Sequence, residues 1–272
     1  MRPWVPAFDA ELRADPRLAL LPGRYLAAFD DGRGDVAGLG ADVGLLALDA
    51  GTVALLLAGA DTGLRAVPQD AVGLALAATR AFLDERARQG GTAWRLAELS
   101  AGGARIAGAL GGQRAEPVPV PPSPVTGPAG AVAQSDGRTA LVAVVPLGRL
   151  TATQADLLAA TAPTDLQVTP WRSVVVPDLA DAAAAAELTA ARLVLDPRSA
   201  WLRVTACAGL PGCARSLADV RADASRAVAA GALPAAGARQ HWAGCGRRCG
   251  RPSGAVVDVV ATGQGYRIGS GT

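Results

Sequence analysis

The chain reads as an α+β protein. Short apolar runs of strand length alternate with alanine-rich segments of helical periodicity. Residues 140–195 spell the order β-α-β-β-α-β. All four cysteines lie in the last quarter, set in Gly/Pro-rich turns. At 272 residues the chain can bury a substantial core, in one large domain or two smaller ones.

Residues 1–112 are expected to form one α+β unit. Residues 24–29 read as a short strand ending at Asp30-Asp31-Gly32. The apolar stretch 43–58 is interrupted by Asp49 and Gly51, so it reads as two strands joined there rather than as a membrane span, which needs about 20 uninterrupted apolar residues. Residues 69–88 read as a helix. Asp70 is its cap, Val72, Leu76, Thr79 and Leu83 form its apolar side, and Gly90-Gly91 stop it.

Residues 113–139 read as a proline-rich linker. The run from Glu116 to Pro128 favours an extended polyproline path and is taken as a plain spacer rather than a ligand for a signalling module. Residues 140–198 follow as a half-domain. It is expected to hold a strand at 141–147, a helix opened by the capping box Thr151-Ala-Thr-Gln154, strands at 166–169 and 173–176, a helix at 179–192, and a strand at 193–195. In residues 199–272, a strand at 203–205 delivers Cys207. A helix at 214–229 would set Cys213 at its N-terminus, where the dipole favours a thiolate. Residues 256–261 and 266–268 read as a hairpin. Gly263-Gln264-Gly265 is then its turn rather than a dinucleotide fingerprint.

Composition narrows the function classes. Half of the residues are apolar but only 4% are aromatic, so Ala, Val and Leu build the core. There is no lysine; apart from His241 every basic side chain is arginine, and the net charge is only +2 with no dense basic run. A role on nucleic acid or on an anionic membrane has little support. The N-terminal residues lack the apolar core of an export signal, which gives a cytoplasmic expectation.

The cysteines carry the chemistry. Cys207 and Cys213 are spaced C-x5-C, and Cys245 and Cys249 are spaced C-x3-C after a gap of 31 residues. Four thiolates are what a [4Fe–4S] cube requires, and glycine turns let the backbone bend around it. Structural zinc prefers closer pairs, so x5 is long for it. Disulfides suit small exported domains better than a long chain of this kind. The cluster is the favoured reading; zinc and unliganded thiols remain open at this point. His241, the only histidine, could ligate a mononuclear iron or move a proton, but a hydrogen bond bracing the Cys245 turn is the preferred reading. Trp171 is expected to fill a gap in the aromatic-poor core rather than to stack on a ligand.

The cysteine spacing resembles the cluster signature of the sulfite and nitrite reductase superfamily. The flanking residues sharpen the likeness. Ala206-Cys207-Ala-Gly-Leu-Pro-Gly-Cys213-Ala and His241-Trp-Ala-Gly-Cys245-Gly-Arg-Arg-Cys249-Gly-Arg-Pro252 resemble the precorrin-3B synthase branch of aerobic cobalamin synthesis. So do Pro146-Leu-Gly-Arg149-Leu-Thr-Ala and Thr169-Pro-Trp-Arg172. The resemblance is strong from about residue 140 onward and loose before it.

The resemblance implies a nitrite/sulfite reductase-like α+β fold with one ferredoxin-like half-domain and two related cluster-domain repeats, the first of them, residues 1–112, without cysteines. It implies a [4Fe–4S] cluster on Cys207, Cys213, Cys245 and Cys249, with Cys249 in the position that bridges to siroheme in the reductases. Siroheme is less expected here, because precorrin-3A itself would occupy the cradle. The polycarboxylate substrate suggests Arg24, Arg172, Arg247 and Arg248 as its binding residues. The implied reaction is O2-dependent hydroxylation of precorrin-3A with lactone formation, using an electron donor such as an NAD(P)H-linked reductase or a ferredoxin. A reductase relative and a non-catalytic, cluster-carrying electron-transfer subunit are the alternatives. The superfamily also begins with another ferredoxin-like half-domain, bearing an R-G-x-x-Q-type strand, which does not precede Met1. A partner chain could supply it.

Overall fold

The computed structural model describes residues 3–270, except for the side chain of Ser270. The chain divides into two compact units, Met1–Pro124 and Val125–Thr272. No described helix is long and apolar enough to cross a membrane.

The first unit contains α1 (Trp4–Ala14), β1 (Ala27–Asp30), β2 (Val43–Ala47), β3 (Val53–Leu57), β4 (Ala60–Ala66), α2 (Ala71–Arg88), α3 (Gly102–Ala109) and β5 (Gln113–Arg114). The strands form one sheet in sequence order, with β1 parallel to β2 and every later pair antiparallel. The hairpin expected at 43–58 is β2 and β3. Its continuous apolar run has a physical reason: both faces are covered. Val43, Leu45, Val53, Leu55 and Leu57 face a core built with Trp4, Phe8, Phe82 and Ile106 from the helices. Leu46, Ala54 and Leu56 point the other way, against Ala37 and Val120.

That second cover corrects the expectation for the proline-rich segment. Its first part is not a spacer. Val118 N–H donates to Asp61, Arg65 holds the Glu116 carbonyl, and Val120 packs on the sheet. A Cβ on Gly38 would lie 2.3 Å from the Ser123 nitrogen, so the strap is seated as closely as a glycine allows. Helix α2 matches the expected segment and ends at Gly90 and Gly91, both with positive φ. Asp70 occupies the cap position without a side-chain cap bond. Phe82, Ala75 and Ala78 belong to the buried face together with Leu76, Thr79 and Leu83, whereas Val72 is only partly buried.

In the second unit the linker ends earlier than expected, because β6 (Gly130–Ala133) already pairs with β7 (Thr139–Val144). Helix α4 (Ala152–Thr161), β8 (Gln167–Val168), β9 (Ser173–Leu179) and α5 (Ala185–Ala190) follow. The sheet order is β6-β7-β9-β8, all antiparallel, and Val194 bridges to Val144 where a final strand was expected. The Thr151/Gln154 capping box is present in full. The helix expected at 179–192 is shorter than its alanine content suggested. Strand β9 runs on to Leu179, pairing it with Thr139, and the helical register starts only at Ala185.

The last part holds β10 (Val204–Ala206), α6 (Val220–Ala229), β11 (Gln240–Ala243), β12 (Val257–Thr262) and β13 (Gly265–Ser270). β10, β11 and β12 are parallel, and β12 and β13 form the expected hairpin around Gly263-Gln264. The helix does not begin at residue 214. It begins at Val220, where the Asp219 carboxylate caps the Ala222 N–H, so Cys213 lies six residues upstream of that cap in a turn, away from the helix dipole.

Asp30 is the hub of the first unit's β1–β2 loop. Its carboxylate accepts N–H bonds from Gly32, Gly34, Val36 and Ala37. Burial pushes its pKa up, but the four N–H groups outweigh this and hold it below the usual carboxylate value. A depressed folded pKa contributes stability above the unfolded value and loses it as pH falls through the folded one. Resistance to urea should therefore fall below about pH 4. Asp30→Asn should cost about 2–3 kcal/mol at neutral pH and flatten that acid limb, because its amide cannot accept from Val36 and Ala37.

Candidate metal centre

The parallel strands deliver the cysteines. Cys207 follows β10 directly, and its N–H donates to the Trp242 carbonyl of β11. Cys245 follows β11 after Gly244. Pairing β10 with β11 thus brings the two chain segments that leave the sheet to the same end.

Two hydrogen bonds join the loops and a third orders the first of them. Leu217 N–H donates to the Gly244 carbonyl at 2.8 Å, and Ser216 N–H donates to the Cys213 carbonyl at 3.0 Å. Gly244 N–H donates to the Cys207 sulfur at 3.2 Å. Gly244 has no space for a side chain, since a Cβ there would fall 1.8 Å from Ser216 Oγ. Cys207, Cys213 and Cys245 are half-buried and Cys249 is exposed; none is paired with another.

A tetrahedral zinc with bonds of about 2.3 Å would draw its sulfurs to within roughly 4 Å of one another. Among the described residues, no three of the four sulfurs come mutually within 4.8 Å.

Beneath the 245–249 turn lies a buried polar layer. His241 is fully buried; its Nδ1 lies 2.9 Å from Thr205 Oγ1 on the neighbouring strand. Burial holds the His241 pKa below the ordinary histidine value, against the opposing influence of Asp258 and the Cys249 backbone. The ring is therefore neutral; its bond with the Thr205 hydroxyl braces β10, the strand leading to Cys207, and its contact with the Cys249 backbone ties it to the Cys245–Cys249 turn as well. Asp258 pairs with Arg248 at 2.7 Å and with Arg251 at 2.8 Å. Burial raises the Asp258 pKa, but the two guanidinium groups reverse this and lower it.

The four arginines singled out in the sequence are placed differently from one another. Arg248 is committed to Asp258. Arg172, held at φ 57, turns its guanidinium onto the Val204 and Leu202 carbonyls, which anchors β10 to the turn before β9. Burial, and then Arg239, lower its pKa. Arg247 is exposed on the cysteine turn. Arg24 belongs to the first unit, is well exposed and reaches Glu98 only at 3.9 Å. Trp171 is half-buried against Gly127, where a Cβ would lie 2.9 Å from its ring, and it is not part of any of the hydrophobic core clusters.

A cavity of about 760 Å³ adjoins the Cys207–Cys213 loop. Arg149, Arg192 and Arg221 line it, and none of the four arginines chosen from sequence does. Arg149 stands in the conspicuous Pro-Leu-Gly-Arg run, the one sequence signal that could have found it. Arg192 and Arg221 lie in alanine-rich stretches without any motif.

No family model matches the chain, and no curated protein does. Among solved structures, the NirA protein of Mycobacterium tuberculosis is similar, with a TM-score of 0.57 and 20% identity. The match covers 87% of this chain and 51% of NirA, so the chain spans about half the length of that protein. The likeness is one of fold: a mixed α+β chain of NirA type.

Gly244→Ala should drive the Ser216 side chain off its site and cost about 1–3 kcal/mol in urea unfolding. Adding Ser216→Gly, which removes the colliding atoms, should recover most of that loss. An unchanged midpoint in Gly244→Ala would mean that the loops are not seated as described.

Proposed function

We propose that the protein is an iron–sulfur oxidoreductase of the sulfite/nitrite reductase superfamily that acts on a tetrapyrrole in the manner of precorrin-3B synthase. The observation that carries the cluster is the junction of the two cysteine loops, in which Gly244 joins Leu217 on one side and the Cys207 sulfur on the other. The NirA-like fold agrees with the superfamily that the cysteine spacing resembles. The motifs around Arg149 and Arg172 favour the precorrin branch within it.

Cys207, Cys213, Cys245 and Cys249 would hold a [4Fe–4S] cluster, which supplies single-electron transfer when bound. The chain's own residues prepare for it. Gly244 N–H donates to the Cys207 sulfur, and neutral His241 adds no charge beneath the turn. Arg248 and Arg251, paired with Asp258, hold the Cys249 end of the loop. The overall reaction would consume O2, precorrin-3A and electrons from an NAD(P)H-linked reductase or a ferredoxin. One oxygen atom enters the macrocycle and the other leaves as water. A second reading, a siroheme-dependent sulfite or nitrite reductase relative, draws on the same likeness to NirA.

Protein purified without oxygen should show a broad brown absorption that bleaches with dithionite, with about four irons per chain. Each of the four Cys→Ser variants should lose most of it. Precorrin-3A turnover would separate the two enzyme readings, since sharp Soret-like bands and sulfite reduction would favour the reductase. A colourless chain, expressed with ample iron and sulfide, would sink both.

A further inference from the structure

Two oxidisable rings meet edge to face in the last part of the chain. Trp242 on β11 and Tyr266 on β13 have their centroids 5.1 Å apart, with the ring planes at 69°. The whole chain has only two tyrosines and five tryptophans, so abundance does not explain the pairing.

The pair reaches from a cysteine towards solvent. At one end, Cys207 packs on the core cluster that contains Trp242, and its N–H donates to the Trp242 carbonyl. At the other end, half-buried Tyr266 donates its hydroxyl to one oxygen of Asp223 on α6. The second oxygen of that carboxylate pairs with the exposed Arg226.

The two rings differ in what can happen to their protons. A phenol that loses an electron becomes a strong acid, so its oxidation is easy only where a base takes the proton. Tyr266 has such a base in Asp223. Burial, and then Asp223, push the Tyr266 pKa above the usual tyrosine value, so the phenol keeps its proton until it is oxidised. Trp242 is buried, and its Nε1 has no hydrogen-bond partner among the described residues. An oxidised Trp242 therefore keeps its proton, stays a strong oxidant and takes an electron from the ring beside it. The other tyrosine supplies a contrast. Tyr25 stacks on Phe82, and its hydroxyl pairs with the hydroxyl of Thr79, which is not a base.

We propose that Trp242 and Tyr266, with Asp223 as proton acceptor, form a relay that carries an oxidising equivalent from beside Cys207 to the protein surface. An oxidant beside Cys207 takes one electron from Trp242. Trp242 takes one from Tyr266, whose proton passes to Asp223, leaving a neutral tyrosyl radical. A thiol or another one-electron reductant in solution returns the electron, and Asp223 returns the proton. The cysteine is thereby spared oxidation. In the working protein the oxidant is a partly reduced oxygen species; that identification rests on the proposed function, and the relay itself does not.

The test ties a ruthenium–bipyridine photo-oxidant to Cys207 of the full chain, with Cys213→Ser, Cys245→Ser and Cys249→Ser leaving no other thiol. A flash, with a cobalt(III) complex as electron acceptor, generates one oxidising equivalent beside Trp242. A neutral tyrosyl radical is expected by electron paramagnetic resonance, forming more slowly in heavy water. Tyr266→Phe should abolish it, although Tyr25 remains. Trp242→Phe should lose most of it, and Asp223→Asn should slow its formation about tenfold or more. Circular dichroism checks the fold of each variant, and Tyr266→Phe, which keeps the ring, is the mildest change. No radical in the labelled parent, a radical surviving in Tyr266→Phe, or one formed as fully and as fast in folded Trp242→Phe or Asp223→Asn would overturn the proposal. Iron content is measured on the unlabelled wild-type chain. A radical as expected in a protein that takes up no iron would count against the proposed function and leave the relay standing, whereas a cluster without the radical would do the reverse.

Discussion

The parallel pairing of β10 with β11 is the constraint on which the candidate centre depends. It places Thr205 opposite His241 and Ala206 opposite Trp242, so that Cys207 and Gly244 leave the sheet side by side. A slip of one residue would turn every side chain of β11 to the opposite face, moving His241 out of its polar layer and Trp242 away from Tyr266, its ring partner at 5.1 Å. The register is pinned by burial, since all four residues of β11 are buried. Between the strands and the thiols there is only one residue of slack on the β11 side, Gly244, and it is the residue that cannot carry a Cβ.

Around this junction the charges divide into two classes. Some arginines are structural ties. Arg172 grips the carbonyls at the start of β10, and Arg248 and Arg251 share Asp258. Such pairs, buried or half-buried, hold loops whose backbones would otherwise be free to move. Others have no acidic partner among the described residues and gather at the cavity, where Arg221 alone belongs to both classes because one of its N–H groups is spent on the Cys207 carbonyl. In a chain without lysine, arginine must serve as both clamp and binding group, and residue type alone does not tell the two apart.

The first unit shows the same economy of cover. Its sheet buries both faces, one under helices and one under the proline-rich strap. Proline suits the strap because it lies on the sheet's face through side-chain packing and a few backbone bonds, without joining the ladder.

Sequence alone determined the local features. The β2–β3 hairpin, the extent of α2, the Thr151/Gln154 capping box and the final hairpin were legible because each follows from neighbours a few residues apart: alternation, a glycine stop, a cap. The four cysteines were legible because their spacing and their glycine turns are local as well. Tertiary structure decided the rest. The segment after Cys213 is rich in alanine and reads as helix, yet Leu217 is drawn to Gly244 and Leu210 N–H bonds the Ala218 carbonyl, so the helix waits until Asp219 can cap it. Strand β9 outran its expected end because Thr139 offered Leu179 a partner. The roles of the arginines were settled the same way. A guanidinium becomes a clamp or a free charge according to which carbonyl or carboxylate the fold brings within about 3 Å of it, and those partners lie tens of residues away in the chain.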